Sequence, residues 1–408
     1  MKIDISYGGK EITVELPKEK INGILSPNDV DKKDEEKLLI DALNNPIDSP
    51  SFEDFIEDNT LFIVNDATRP TPTAKVLEIL KDQIEGYEVD FIVATGSHRE
   101  PTEEEYEWIF GDIWQTHRDK IHCHDADNSK MKYYGKTKRG TPVRFNKKVD
   151  EVDRVVAINT VEPHYFAGFT GGRKSFLPGV ASYETIETNH YHSLENEAQM
   201  LKLEGNPIHE DMIEAYRMYD KPVFSINMTL DKDGDIYHAS CGEMEQVFLN
   251  ETKKAEEVFT VPLKERSEVV VTIAHPMDID LYQSQKSLET GKLALKDGGT
   301  LILVSECRDG IGPDNFYNLM ASLDTPQEVL DKIREGYKLG YHKAAKIVNI
   351  CSASDISAVT ELEHDKLENV FFTPGKDIQK MIDQALEEKG GKVTFLMEGA
   401  LVVPKITG

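Results

Sequence analysis

A chain of 408 residues with 39% hydrophobic and 30% charged residues has the make-up of a folded protein and the length of two or three domains. Its formal net charge of -27 repels phosphate backbones and anionic lipid, which argues against nucleic-acid and membrane partners; an anionic substrate would need a local cationic pocket. Cys123, Cys241, Cys307 and Cys351 are scattered without a C-x-x-C pair, and no apolar leader or membrane-length run occurs, so reduced thiols and a cytoplasmic location are expected.

The first residues alternate apolar and polar, which predicts a hairpin of strands 2–7 and 11–16 turned at Gly8-Gly9. An acidic stretch over 28–36 leads to a short helix near 37–44. From Thr60, short apolar runs alternate with helix-compatible segments: strand 61–64, helix 72–85, strand 89–94, helix 103–110 and strand 154–158. After Pro262 the pattern restarts with strand 269–274, helix 281–295, strand 300–304, helices 326–335 and 342–352, strands 356–359 and 370–373, helix 377–388 and strand 393–396. Such alternation predicts α/β architecture with mainly parallel sheets covered on both faces. The charged, proline-containing stretch 251–266 marks the boundary, giving an N-terminal domain over 1–262 and a C-terminal domain over 263–396.

In open α/β sheets ligands bind at the carboxyl ends of strands. Three polar clusters fall there in the first domain: Asn65-Asp66-Ala67-Thr68-Arg69-Pro70, Thr95-Gly96-Ser97-His98-Arg99, and Asn159-Thr160-Val161-Glu162-Pro163-His164. Next comes a glycine-rich run, Gly168-Phe169-Thr170-Gly171-Gly172-Arg173-Lys174-Ser175. Its exposed N–H groups suit a phosphate-bearing cofactor, and its Lys174 lies among Phe166, Phe169 and Phe176. A lysine in apolar surroundings has a lowered pKa and can act as a nucleophile. The order G-x-x-x-x-G-K-[ST] of a P-loop is absent. His190 and His192 suit a late first-row metal, and on a helix only one of them would reach it. His122-Cys123-His124 looks like a zinc fragment without its second half, and His117, His209, His238 and His364 read as solvent-facing. In the second domain, Gln283 and Lys286 share a helix face near its start, a sensible anion clamp.

Taken in order, Asp66-x-Thr68-Arg69-Pro70-x-Pro72, Ala94-Thr95-Gly96-x-His98-Arg99, His164-x-Phe166-Ala167-Gly168-Phe169-x-Gly171-Gly172-Arg173-Lys174-Ser175, Asn189-His190 and Tyr282-Gln283-x-x-Lys286 resemble the nickel-dependent lactate racemase family over nearly the whole chain. The resemblance implies two α/β domains with the active site in the interdomain cleft, and a tail over 397–408 that returns to the first domain. It implies an isomerase that inverts C2 of a small, lactate-like 2-hydroxy acid by proton-coupled hydride transfer. The cofactor would be a nickel-pincer nucleotide (pyridinium-3,5-bisthiocarboxylic acid mononucleotide) linked covalently to Lys174 and made by maturation enzymes. By the same resemblance His190 ligates nickel, and His98 and His164 are the acid/base pair. Arg69 holds the substrate carboxylate, joined by Lys286, and Asp66, Gly171, Gly172, Arg173, Gln283 and Lys286 bind the cofactor. Two general acid/base groups are what inversion requires, one for each face of a planar 2-keto acid.

Two departures bear on the substrate. The stretch His275-Pro276-Met277-Asp278-Ile279-Asp280 stands where lactate racemases of the family are glycine-rich, and no tryptophan lies near Tyr341-His342, the only two being Trp108 and Trp114. These departures leave a longer or more polar 2-hydroxy acid open as the substrate. The competing readings are a metal- or NAD-dependent 2-hydroxy acid dehydrogenase or lyase, which the missing strand-linked G-x-G-x-x-G counts against, and a non-catalytic anion-binding protein.

Overall fold

The run Thr60–Asn65 is apolar on both faces, which only a central strand covered on each side can use, and Leu61, Phe62, Ile63 and Val64 are fully buried. The computed structural model, which describes residues 1–408, places this strand inside a six-stranded sheet. The order across that sheet is Ile236–Gly242, Val223–Leu230, Arg154–Thr160, Thr60–Asn65, Val89–Ala94 and Ile121–Cys123. All neighbours are parallel except the first pair, an antiparallel hairpin. Between Thr60–Asn65 and Arg154–Thr160 the winding reverses direction, and a reversal of this kind opens a crevice at the strands' carboxyl ends.

Helices cover the sheet because their apolar positions recur at helical spacing. Thr73–Ile84 turns Val76, Leu77, Leu80 and Ile84 onto it, and Glu103–Phe110 adds Tyr106, Ile109 and Phe110 to the same core. Thr102 opens the second of these with a reciprocal bond pair to Glu105.

A second six-stranded sheet is parallel throughout, in the order Thr373–Gly375, Asp355–Val359, Leu295–Val304, Ser267–Ile273, Val393–Leu396 and Ile21–Leu25. Contacts therefore divide the chain into two units, one of residues 29–258 and one that joins 1–28 to 259–408. The first domain was expected over 1–262 with the tail returning to it; contacts instead divide the chain at 258/259 and place both ends in the second unit. Residues 1–28 join the second unit because Ile21–Leu25 pairs with Val393–Leu396, and because Ile3, Ile5, Val14 and Leu16 of the hairpin share a core with Val269, Ile302 and Phe395. The tail also stays with the second unit, where Val403–Ile406 pairs in parallel with Thr260–Leu263. The strand expected over 370–373 is displaced to Thr373–Gly375: Phe371 takes φ 67° in the turn that ends the His364–Glu368 helix, and Val370 and Phe372 are buried there. No helix is long and apolar enough to cross a membrane.

Candidate active site

The three polar clusters of the 29–258 unit leave the carboxyl ends of adjacent strands and are tied to one another there. Thr71 bonds Thr160 hydroxyl to hydroxyl at 2.9 Å, which joins the loop after Thr60–Asn65 to the end of Arg154–Thr160. The Gly96 N–H donates to the Gly179 carbonyl at 3.0 Å, which joins the His98 loop to the glycine-rich segment.

His98 rests on Asp66. Its Nδ1 lies 2.7 Å from Asp66 Oδ2, while the Thr68 hydroxyl donates to Asp66 Oδ1 at 2.7 Å. Burial opposes ionisation of Asp66, but the His98 bond and charge, the Arg69 charge and the Thr68 hydroxyl hold its carboxyl below the usual range. An ionised carboxylate at Nδ1 fixes a proton on that nitrogen and leaves Nε2 with the lone pair in the neutral ring. The side chain is 40% exposed, so a ligand can reach it.

His164 is placed by a two-residue ladder, Pro163–His164 against Gly168–Phe169. Its Nδ1 accepts the Ala167 N–H at 3.3 Å, so its neutral ring carries the proton on Nε2. The two histidines therefore favour opposite tautomers. The His164 ring stacks on Tyr165 at 5.0 Å and meets Phe166 edge-on at 4.5 Å.

Phe166 gathers the rest of the cluster. His190 meets its ring at 5.1 Å, and Lys174 Nζ lies 5.7 Å from its centre. Burial, and then the Lys174 charge, push the His190 pKa down to about 3 against a bond to the Ile186 carbonyl. The result is a neutral imidazole, the form that binds metals. His192 departs from the site and pairs with Glu195 at 3.0 Å.

The glycine-rich run follows from close packing. Gly171 and Gly172 have φ of 80° and 52°; a Cβ on Gly171 would lie 2.6 Å from Val161, and one on Gly172 would lie 2.9 Å from Phe248. The Gly172 N–H is taken by Asn227 Oδ1 at 3.2 Å. Arg173 corrects an expectation. Rather than facing a phosphate, it is 1% exposed and donates to the carbonyls of Ala167 at 2.8 Å, Phe169 at 3.0 Å and Gly171 at 3.2 Å. Its guanidinium lies 4.2 Å from the Phe248 ring centre, and burial lowers its pKa to about 9. The pattern of glycines beside a cation is therefore met by an internal clamp on the loop's own carbonyls.

At His190 the protein offers one imidazole, too few donors for a bare divalent ion, so a metal there must bring further donors with it. A buried neutral imidazole and a primary amine around one phenyl ring fit a ligand that carries its own metal donors and bonds to an amine. The one group of three close ligating side chains is Asp231, Asp233 and Asp235, in the turn between Val223–Leu230 and Ile236–Gly242.

Residues 7–201 match the model of the lactate racemase N-terminal domain, and residues 263–403 match that of the lactate racemase C-terminal domain. The lactate racemase of Thermoanaerobacterium thermosaccharolyticum is 33% identical, with 98% of each chain covered. The chain belongs to the lactate racemase family. The lactate racemase of Lactiplantibacillus plantarum is 31% identical over 99% of each chain. The solved apoprotein from T. thermosaccharolyticum superposes with a TM-score of 0.92 at 32% identity, covering 99% of this chain and all of that one. A Thermotoga maritima protein with a TM-score of 0.70 at 18% identity shares the fold. Members named in this way are isomerases, and that is the enzyme class of this chain.

Within this family member the 29–258 unit sets His98 against Asp66 with Arg69 nearby, and separately sets His164, Lys174 and His190 around Phe166. Gln283 and Lys286 belong to the other unit, in the first turns of Leu281–Ala294. That helix start is already capped: Asp280 Oδ1 accepts the Gln283 N–H at 2.6 Å, and Lys343 Nζ donates to the Tyr282 carbonyl at 2.5 Å. Two histidines, His209 and His238, differ from their expected roles, and His124 has a structural one. His124 is buried with Nε2 on the Ala181 carbonyl at 2.9 Å and Nδ1 against Asn146 at 3.1 Å, so the zinc-like fragment is structural. His209 is half-buried against Phe248, and His238 binds the fully buried Glu251 at 2.7 Å, where both had been expected to face solvent. Sequence reasoning also passed over Thr68, which orients the Asp66 carboxylate; its place beside Asp66 and Arg69 was the available signal.

Proposed function

We propose that this family member inverts C2 of a small 2-hydroxy acid, lactate or a longer or more polar relative, using a nickel-pincer nucleotide. The reading is carried by one observation together with family membership. A carboxylate-anchored, accessible His98 and a cluster of His164, Lys174 and His190 around Phe166 follow the carboxyl ends of strands beside the reversal point of one mainly parallel sheet.

Arg69 receives the substrate carboxylate in a planar, two-pronged grip. His98 exchanges the hydroxyl proton at Nε2, because Asp66 occupies Nδ1. His164 serves the opposite face of the planar 2-keto acid. Lys174 would hold the cofactor through its amine, and His190 would offer nickel a neutral nitrogen. Gly171 and Gly172 let the loop pack closely, and Arg173 holds its shape from beneath. Asp66 serves cofactor binding as well as His98, and Gln283 and Lys286 are assigned to cofactor and substrate by the family motif. When bound, the nucleotide would supply an electrophilic ring suited to hydride chemistry, which would avoid a carbanion beside the carboxylate. Maturation enzymes are the partners this requires.

The test is to produce the chain with those enzymes, confirm a Lys174 adduct by intact mass, and follow lactate and a panel of 2-hydroxy acids by chiral chromatography. Inversion of at least one, without deuterium wash-in at C2 from heavy water, is expected. A loaded protein that inverts none of them, or rapid wash-in, overturns the reading.

A further inference from the structure

We propose that Asp211 is a positioning residue for His190, acting through Asn189; this rests on His190 being the nickel ligand. Both Asn189 and His190 lie in the last turn of Tyr183–Tyr191, where a helix is least secured by its own bonds. A metal-binding ring needs to be held to about half an ångström. The backbone beneath it is fixed on one side by Ser193, whose hydroxyl donates to the His190 carbonyl at 2.6 Å. On the other side stands Asp211.

Asp211 lies on the Pro207–Tyr216 helix and is 1% exposed. Its Oδ2 accepts the Asn189 amide at 2.8 Å and the Thr141 hydroxyl at 2.8 Å, and its Oδ1 accepts the Thr137 hydroxyl at 2.5 Å. Thr137 and Thr141 come from the turn between strands Met131–Lys136 and Pro142–Asn146. One carboxylate thus gathers donors from two other elements onto its own helix. All three bonded donors are neutral, although a buried carboxylate without a cationic partner is costly to keep. Packing alone would be served by an apolar side chain. What the carboxyl group offers instead is two oxygens that accept, enough to hold all three donors at once. The directional consequence is that Asn189 is locked, and the next residue is His190.

Two variants cut different arms of this hub. Asn189→Ala removes the arm to the His190 helix, and Thr141→Val removes an arm to the hairpin while leaving the Asp211–Asn189 bond. In the apoprotein, carbethoxylation of His190 by diethyl pyrocarbonate is followed by peptide mass spectrometry, with His98 as internal reference. In the cofactor-loaded protein, nickel retained after gel filtration is measured. Asn189→Ala is expected to speed His190 modification relative to His98 and to weaken nickel retention by about 10–100-fold, the range typical of lost support for a metal ligand. Thr141→Val is expected to lower Tm and leave both readouts as in the parent. If Asn189→Ala leaves both unchanged, or Thr141→Val moves them as far, the positioning role is overturned. His190→Ala separates the two readings. Nickel retained in that variant defeats the ligand assignment, whereas nickel lost there but held by Asn189→Ala defeats only the role of Asp211.

Discussion

His98 leans on a buried carboxylate 2.7 Å away and keeps 40% of its side chain in solvent, whereas His190 is enclosed beside Phe166 with its pKa pushed down to about 3. On the proposed function, an adjacent anion suits a ring that takes up and releases a proton, and enclosure in apolar surroundings suits one that stays neutral to bind a metal. His164 lies between these conditions, buried like His190 yet placed by a backbone N–H rather than by a carboxylate.

The sharpest way to break this comparison is to remove each ring in turn. His98→Asn and His164→Asn are each expected to lower kcat for C2 inversion by about 10²–10⁴-fold with nickel content unchanged. Chiral chromatography beside metal analysis checks this, and nickel loss in either variant would erase the division of labour. A smaller effect is expected from Asp66→Asn, which keeps the shape but not the charge. Loss of an orienting carboxylate should cost about 10–100-fold in kcat, read by the same assay. The third prediction concerns the loop beneath Lys174. Arg173→Lys keeps a charge but loses the planar fork that spans several carbonyls, and should destabilise the protein by about 2–3 kcal/mol, seen as a lowered urea midpoint.

The smallest effect concerns histidines drawn away from solvent outside the proposed site. Burial, and then the charges of Arg173 and Arg217, lower the His209 pKa to about 3. Below the ordinary value of 6.5 the unfolded chain binds a proton that the folded one does not, so stability falls as pH drops from 6.5 towards 3. His209→Gln should flatten that slope by about 1.4 kcal/mol per pH unit, measured as urea midpoints between pH 6 and pH 4.5. His124, with a pKa of about 4, remains as a second source of the same slope.

The strand–helix alternation was legible because central strands such as Thr60–Asn65 must be apolar on both faces. The loops worth examining were legible because chemistry in such sheets sits at strand ends. Asp66 and His98 are 32 positions apart, so neither could be recognised as the other's partner until parallel pairing of their strands set their loops side by side. Arg173 misled because a cation among glycines carries the same pattern whether it turns towards a ligand or towards the loop's own carbonyls. The place of residues 1–28 was hidden for a related reason: pairing between Ile21–Leu25 and Val393–Leu396 leaves no local mark in either segment.

That pairing sets a timetable for the newborn chain. Synthesis runs from the N-terminus, and domains fold as units while it proceeds. Residues 1–28 leave the ribosome long before the strand that Ile21–Leu25 must join, which emerges only when residues 393–396 are made. The middle of the chain, 29–258, can gather its own sheet in the meantime. The opening hairpin, with Ile3, Ile5 and Val14 destined for burial, must wait uncovered through most of translation. An interruption of synthesis before residue 393 therefore leaves an uncovered apolar hairpin attached to a folded middle.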